Sequence, residues 1–125
     1  MTTRTIAIVG PTLIASADPI VAFVHTLARG TLVLTTGARG VAQIARDAAK
    51  ACGLAVDVVL ADWSTGRGAR QSRNAELARR ADEVALWWEG GSEGINVLRA
   101  AVKAGKPVRV FACGVTSSTE TRTIT

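Results

Sequence analysis

Short apolar runs rich in β-branched residues alternate along this chain with segments whose apolar residues recur at helical spacing. The runs predict strands over residues 5–9, 31–35, 55–60, 83–88 and 107–111, with four helices between them. The strands show no polar–apolar alternation, which is typical of strands covered by helices on both faces. This order predicts an α/β protein, a Rossmann-like three-layer sandwich with a mainly parallel five-stranded sheet.

The first two helices carry end signals. Asp18 is a residue type that caps helix N-termini, Pro19 suits the first helical position, and Gly30 suits the end of the same helix. Gly53 closes the second helix in the same way. The sequence therefore predicts a first helix that runs from Asp18 nearly to Gly30.

The length of 125 residues fits one domain. We predict a single Rossmann-like domain over residues 1–113, and a tail over residues 114–125 that is either mobile or adds an edge strand. No apolar run approaches the roughly 20 residues that a membrane span needs. No signal peptide is apparent before the first strand. We therefore expect a cytoplasmic protein without a membrane partner.

The charge of the chain leaves three interpretations open. The formal net charge is +5 and the isoelectric point is about 10.2, which fits a nucleic-acid-binding protein. The same values fit a solvated surface with a positive bias, or a few arginines that serve an anionic ligand. No run of Lys and Arg is longer than two residues. This spacing disfavours nucleic acid as the partner.

The two cysteines, Cys52 and Cys113, lie far apart in the sequence and do not show a metal-binding spacing. We expect buried free thiols in a reducing cytosol. No metal site and no cofactor is predicted from the sequence.

Glycine-rich loops follow the second and fourth predicted strands, at the edge of a parallel sheet where ligands bind. The later loop reads Gly-Gly-Ser-Glu-Gly over residues 90–94 and opens a helix. Glycines let backbone N–H groups approach an anion, and a helix N-terminus favours negative charge, so this loop predicts phosphate binding. A tight strand-to-helix turn is the alternative. The earlier loop, over residues 36–40, has the same character but matches neither the dinucleotide fingerprint nor the P-loop.

Arginine and asparagine share one face of the third predicted helix. Arg70, Arg73 and Asn74 stand at positions i, i+3 and i+4, so they point the same way. Guanidinium groups there suit recognition of phosphate or carboxylate, and a solvated arginine face is the alternative. Before this helix, Asp62 is placed to accept ribose hydroxyls and Trp63 to stack on a base.

Two tryptophans end the fourth strand. Because neighbouring strand residues face opposite ways, at most one of Trp87 and Trp88 should look into the site. Core packing is the alternative for both, and also for Trp63.

The predicted ligand-binding residues lie in the loops at this edge and at the start of the third helix. They are Gly10, Thr36, Gly37, Arg39, Gly40, Asp62, Trp63, Arg70, Arg73, Asn74, Gly90, Gly91, Ser92 and Gly94. Asp62 and Arg73 are the candidates for a catalytic role.

Several stretches, taken in order, resemble the SLOG superfamily, in particular its small stand-alone YspA/YpsA-related branch. They read TGARGVAQIARDAAKACG, ADW, RNAELARRADEVALWWEGGSEG and AVKAGKPVRVF, and the resemblance covers about residues 31–111. The superfamily includes the lonely-guy phosphoribohydrolases and the Rossmann-like domain of DNA-processing protein A. The resemblance implies a nucleotide-related ligand at the glycine loops, such as an ADP-ribose-derived signal.

The chain departs from the hydrolases of this superfamily where they carry out chemistry. Leu98 stands where they have a glutamate that acts in N-glycosidic cleavage, and Ala42 stands where an aspartate is usual. Arg73 corresponds to their catalytic arginine, but an arginine without its acidic partner cannot supply acid–base catalysis. The resemblance thus implies binding without hydrolysis.

We therefore expect a non-catalytic protein that senses or sequesters a nucleotide or an ADP-ribose-derived ligand. A phosphoribohydrolase that acts on nucleoside monophosphates and a DNA-binding module are the alternatives. We also expect a homo-oligomer, most simply a dimer, since SLOG relatives commonly pair and the chain is 48% hydrophobic with three tryptophans.

Overall fold

The strands and helices follow the predicted order in a computed structural model, which describes residues 4–113 and 121–124. The elements are β1 (Thr5–Val9), α1 (Asp18–His25), β2 (Leu32–Thr35), α2 (Val41–Ala51), β3 (Ala55–Val58), a 3₁₀ segment (Trp63–Gly68), α3 (Ala69–Arg80), β4 (Glu83–Trp88), α4 (Ser92–Lys103), β5 (Val108–Ala112) and β6 (Thr121–Ile124). None of the helices in the described residues is long and apolar enough to cross a membrane.

The sheet has the strand order β3-β2-β1-β4-β5-β6. The first five of these strands are parallel, which confirms the predicted α/β, Rossmann-like fold class. A sixth strand, β6, pairs antiparallel with β5, with Val108 opposite Ile124. The predicted tail covers residues 114–125, and residues 121–124 of it form this strand, as in the edge-strand alternative. Residues 114–120 and 125 lie outside the described residues.

Helices cover both faces of the sheet, so each face has its own core. Along β1, Ile6 and Ile8 pack with α1 and α2, whereas Ala7 and Val9 pack with α3 and α4. Successive strand residues point to opposite faces, and both faces are buried here. This is why the strands read as continuous apolar runs in the sequence.

Three aromatic rings form the centre of the core on the α1–α2 side. Trp87 stacks on Phe111 with ring centroids 4.2 Å apart, and Phe23 packs edge-on against both rings. Such aromatic clusters add to the stability that area burial alone provides. The cluster fixes the end of β4, where the candidate site begins.

Both end signals of α1 predicted from the sequence are wrong. Ala17 occupies the N-cap position and Asp18 is already the first helical residue. The helix ends at His25, because the backbone N–H and the hydroxyl of Thr26 both donate to the carbonyl of Phe23, at 3.0 and 2.6 Å. Gly30, with φ of 85°, lies in the turn that follows.

The expectation of two buried thiols is also wrong. Cys52 is exposed at the C-terminus of α2, and Cys113 is only partly buried after β5. The pKa of the Cys113 thiol is raised, first because burial disfavours the thiolate and second because the negative charge of Glu89 lies nearby.

Candidate functional site

A cleft of about 330 Å³ opens at the carboxyl edge of the sheet, at the ends of β1 and β4. These strands are neighbours, but the chain runs outward from β1 to β3 on one side and from β4 to β5 on the other. The strand order therefore reverses between β1 and β4. Open α/β sheets bind their ligands at such a point.

The β1–α1 loop forms one wall of the cleft. Pro11 and Thr12 line it, and the carbonyl of Pro11 accepts a hydrogen bond of 3.1 Å from the backbone N–H of Val41, the first residue of α2. Gly40 has φ of 72°, and a Cβ there would lie only 2.4 Å from the Pro11 oxygen. The N-terminus of α2 is thus closed by this loop, and it does not open into the cleft.

The β2–α2 turn is held by an arginine on α2. Arg46 donates through Nη1 to the carbonyls of Thr36 and Ala38, at 2.6 and 2.9 Å. The hydroxyl of Thr36 accepts from the Ala38 N–H at 3.2 Å. The polar backbone of this turn is therefore largely satisfied within the protein, and Thr36 and Ala38 contribute to the cleft as lining residues.

Helix α3 brings a guanidinium and an amide to the opposite wall. Arg73 donates through Nη2 to Glu93 Oε1 at 2.7 Å and to Asn74 Oδ1 at 3.2 Å. Arg70 Nη1 lies 3.9 Å from Glu93 Oε2. Glu93 stands in the first turn of α4, so these contacts connect the two helices across the rim of the cleft.

Two buried N–H donors at the cleft have no hydrogen-bond partner among the described residues. They are Nδ2 of Asn74, a residue 2% exposed, and Nε1 of Trp87, a residue 1% exposed. Both residues line the cleft. A buried donor without a partner costs about 1–3 kcal/mol.

The glycine-rich turn after β4 uses its polar groups internally. The backbone N–H of Gly91 donates to Glu89 Oε1 at 3.0 Å, and the carbonyl of Gly91 accepts from Trp88 Nε1 at 2.9 Å. Gly94 lies against the indole of Trp88, where an added Cβ would approach Cδ1 to 2.1 Å. The tight turn that the sequence left as an alternative therefore has a clear packing reason.

The loop before α3 lies outside the cleft lining. Asp62 caps the 3₁₀ segment by accepting from the N–H and the hydroxyl of Ser64, at 3.1 and 2.5 Å. Trp63 is 63% exposed, and the guanidinium of Arg70 lies 5.7 Å from its ring centroid. Since Arg70 itself lines the cleft, this cation–π pair stands beside the entrance.

The structure brings together part of the residue set predicted from the sequence. Those that line the cleft are Gly10, Thr36, Arg70, Arg73, Asn74 and Gly94. Those that lie outside its lining are Gly37, Arg39, Gly40, Asp62, Trp63, Gly90, Gly91 and Ser92. Both Trp87 and Trp88 line it, whereas at most one was expected.

Glu89 and Glu93 were not among the ligand-binding residues predicted from the sequence, yet both line the cleft. The carboxylate of Glu89 accepts from the Gly91 N–H, and that of Glu93 accepts from the Arg73 guanidinium. Both donors were predicted to bind an anion. The available signal was the position of the two glutamates, since Glu89 directly precedes the glycine turn and Glu93 lies within it.

A second depression, of about 450 Å³, lies at the opposite edge of the sheet. Its buried Glu83 accepts two hydrogen bonds from Arg109, at 2.8 and 3.2 Å, and lies 3.6 Å from Arg4. This carboxylate is paired, and neither of the unpartnered buried donors lies there. The cleft at the carboxyl edge is therefore the better candidate site.

These features define a Rossmann-like α/β domain with a donor-lined cleft where its strand order reverses. The X-ray structure of DNA processing protein A (DprA) from Streptococcus pneumoniae is similar to this chain, with a TM-score of 0.79 and 14% sequence identity. The similarity covers 92% of this chain and 52% of that chain, so this chain spans about half of its length. Neither a family model nor a curated protein sequence matches the chain. At 14% sequence identity, this likeness shows a shared fold.

Proposed function

We propose that this protein binds a nucleotide or an ADP-ribose-derived small molecule in the cleft and acts as a non-catalytic sensor or sequestering protein. The observation that carries the proposal is the pair of buried, unpartnered donors, Asn74 Nδ2 and Trp87 Nε1. They come from different elements, α3 and β4, and both belong to the lining of one cleft. Phosphate oxygens are acceptors without a donor hydrogen of their own when ionised, so they suit both groups.

The surroundings of these donors favour a ligand with an aromatic base. Arg70 and Trp63 form a flat cation–π pair beside the entrance, and a base can stack on either group. The cleft volume of about 330 Å³ falls at the lower end of the range for small-molecule sites. The proposal includes a relation to the small stand-alone branch of the SLOG superfamily that the sequence resembles. It also includes the nucleotide-related ligand that this resemblance implies.

The residues around the cleft support binding more than hydrolysis. Leu98 packs against the core on the α3–α4 face, at the position where related hydrolases are expected to carry a glutamate. Asp62, the carboxylate favoured from the sequence as a substitute, caps the 3₁₀ segment and does not line the cleft. Cleavage of an N-glycosidic bond normally requires a carboxylate at the reacting centre. Two carboxylates do line the cleft, and Arg73 has an acidic partner after all, but both carboxylates already accept hydrogen bonds: Glu93 from Arg73 and Glu89 from the Gly91 N–H.

The decisive experiment is to identify what the protein carries. The full chain is purified under mild conditions and denatured, and any released small molecule is identified by mass spectrometry. A nucleotide or ADP-ribose derivative in the wild-type sample, depleted in Arg73→Ala and retained in Arg80→Ala, supports the proposal. If dialysed protein also fails to bind nucleoside phosphates and ADP-ribose in calorimetry, the proposal is refuted.

DNA binding is a second candidate, favoured by the net charge of +5 and by the structural likeness to a DNA processing protein. Against it, six of the basic residues that the structure describes already form ion pairs, among them Arg79 and Arg80 with Glu76. Fluorescence anisotropy with a labelled single-stranded oligonucleotide tests this candidate. A DNA-binding module should show an affinity that falls steeply with salt.

A further inference from the structure

We infer that Glu89 and Glu93 are built-in counter-ions that make the cleft select phosphodiesters, whose phosphate carries one negative charge, over terminal phosphomonoesters. The inference rests on the proposed function, since it concerns which nucleotide-derived ligand the same cleft takes. It names the two glutamates as specificity-determining residues.

The charge of the side chains that line the cleft is the first feature that supports this selectivity. Among the described residues that line the cleft, the ionisable groups are two arginines and two glutamates: Arg70, Arg73, Glu89 and Glu93. Their formal charges cancel. A terminal phosphomonoester carries about −1.5 to −2 charges at neutral pH, whereas a phosphate esterified on two sides carries one. A cleft without net positive charge does not compensate the second negative charge of a phosphomonoester.

The guanidinium best placed for a phosphate, that of Arg73, already donates to a carboxylate. Arg73 Nη2 donates to Glu93 Oε1 at 2.7 Å, and Arg70 Nη1 lies 3.9 Å from the other oxygen of the same carboxylate. Glu93 therefore hydrogen-bonds Arg73 and lies within ion-pair distance of Arg70. A phosphate that reaches Arg73 must share the guanidinium with this carboxylate and lies close to its negative charge.

The glycine turn after β4 also holds a carboxylate, that of Glu89. Glu89 Oε1 accepts the Gly91 N–H at 3.0 Å, so the backbone donor expected to hold a phosphate holds a carboxylate instead. Glu89 also lines the cleft. Its negative charge therefore faces the same space as that of Glu93.

Among the described residues, the buried side-chain donors that remain without a partner are electrically neutral. Asn74 Nδ2 and Trp87 Nε1 can each give one hydrogen bond to a phosphate oxygen, but they supply no formal positive charge. Neutral donors match a phosphate with one charge spread over two free oxygens. They do not compensate a dianion in a site that already contains two carboxylates.

The test uses matched probes that differ by one ester methyl group. Dissociation constants are measured by calorimetry at pH 8 for AMP, GMP, CMP and UMP, and for the 5′-methyl phosphate ester of each. We expect wild-type protein to bind a methyl ester at least as tightly as the parent nucleotide. Glu93→Gln should raise the affinity for the monoester by roughly tenfold relative to the diester, the effect of removing one nearby charge in a partly screened site.

Two further variants make the result specific. Glu89→Gln should shift the same ratio in the same direction, and it serves as the test if Glu93→Gln does not fold. Glu76→Gln removes an equal charge from α3, where Glu76 pairs with Arg79 and Arg80 and does not line the cleft. It should leave the ratio unchanged. Thermal melting confirms that each variant is folded.

The outcomes separate the inference from the proposed function. A monoester bound by Glu93→Gln or Glu89→Gln but not by wild-type protein supports the inference. Preference of the wild type for the monoester overturns it, as does an equal ratio in Glu89→Gln, Glu93→Gln and Glu76→Gln; the proposed function then still stands. Absence of binding by every variant to every probe refutes the proposed function, and the inference with it.

Discussion

The carboxylate of Glu93 on α4 accepts a hydrogen bond of 2.7 Å from the guanidinium of Arg73 on α3, across the rim of the cleft. The Arg73 side chain is only 13% exposed, whereas that of Glu93 is 43% exposed. The arginine is thus a fixed part of the wall, and the glutamate is the partner with more freedom to move. A ligand that competes for Arg73 would displace Glu93 rather than the arginine.

Arg73 should contribute strongly to ligand binding, whereas Arg80 should not. We expect Arg73→Ala to weaken binding of the copurified ligand by about 1.5–3 kcal/mol, the range for a charged hydrogen bond. Arg80 lies on the same helix but pairs with Asp57 and does not line the cleft. Arg80→Ala therefore serves as the control in the same titration. Equal losses in both variants would mean that diffuse positive charge holds the ligand.

Gly94 should be required for folding through its contact with Trp88. An added Cβ would lie 2.1 Å from Cδ1 of the Trp88 indole. This indole is itself fixed by the hydrogen bond that its Nε1 donates to the Gly91 carbonyl. We expect Gly94→Ala to lower the free energy of unfolding by roughly 1–3 kcal/mol, the usual cost of overpacking.

Gly68→Ala is the matched control for Gly94→Ala. Gly68 has φ of −82° and nothing within 4 Å of an added Cβ, so its substitution should be close to neutral. Urea denaturation followed by circular dichroism compares the two variants. Similar stabilities for both would show that the indole moves aside at little cost.

The sequence predicted the fold well because its signals were local and repeated. Continuous apolar runs identified buried parallel strands, and Asp18 and Gly30 misled only about where one helix ends. The candidate site was harder to predict, because its geometry depends on contacts between distant elements. Nothing local in the sequence indicates that Gly40 packs on Pro11, or that Glu93 reaches Arg73 on another helix.

The two thiols should differ in reactivity. The thiolate is the reactive form, and the raised pKa of Cys113 keeps that thiol protonated further into the alkaline range. At pH 7.5 we expect a thiol reagent to label the exposed Cys52 first and Cys113 slowly, with labelling of Cys113 accelerating as pH rises towards its pKa. Cys52→Ser should remove the fast phase, measured by intact-mass spectrometry. A fast phase that persists in this variant contradicts the expectation.

We predict that the protein forms a homodimer in solution. Leu60 and Trp63 are 72% and 63% exposed and lie close together in the chain just after the edge strand β3. Burial of such side chains between two copies would stabilise a two-fold dimer. Light scattering coupled to size-exclusion chromatography should report about twice the chain mass of 13.0 kDa. A single-chain mass across the accessible concentration range would rule the dimer out.

The cleft should bind its ligand without cleaving it. Release of a base from a nucleotide requires a carboxylate that stabilises an oxocarbenium-like sugar or activates a water molecule. Leu98 cannot do this, and Asp62 caps the 3₁₀ segment away from the lining. Of the lining carboxylates, Glu93 is engaged with Arg73 and Glu89 with the Gly91 N–H. We therefore expect nucleoside monophosphates, NAD and ADP-ribose to be recovered intact after incubation with the protein, as measured by chromatography.

Variants decide what any observed turnover would mean. Because Glu93 lines the cleft and Asp62 does not, multiple turnover that disappears in Glu93→Gln and persists in Asp62→Asn would establish hydrolysis in this cleft. Turnover that disappears in Asp62→Asn instead would assign the chemistry to the loop before α3, as the sequence first suggested. Activity unaffected by either substitution would come from Glu89, the other lining carboxylate, or from a contaminating enzyme. Activity that also persists in Glu89→Gln would indicate the contaminant, since a hydrolase that lacks its carboxylate loses most of its rate. Tight binding with intact ligand in all of these proteins is the result expected of a sensor or a sequestering protein.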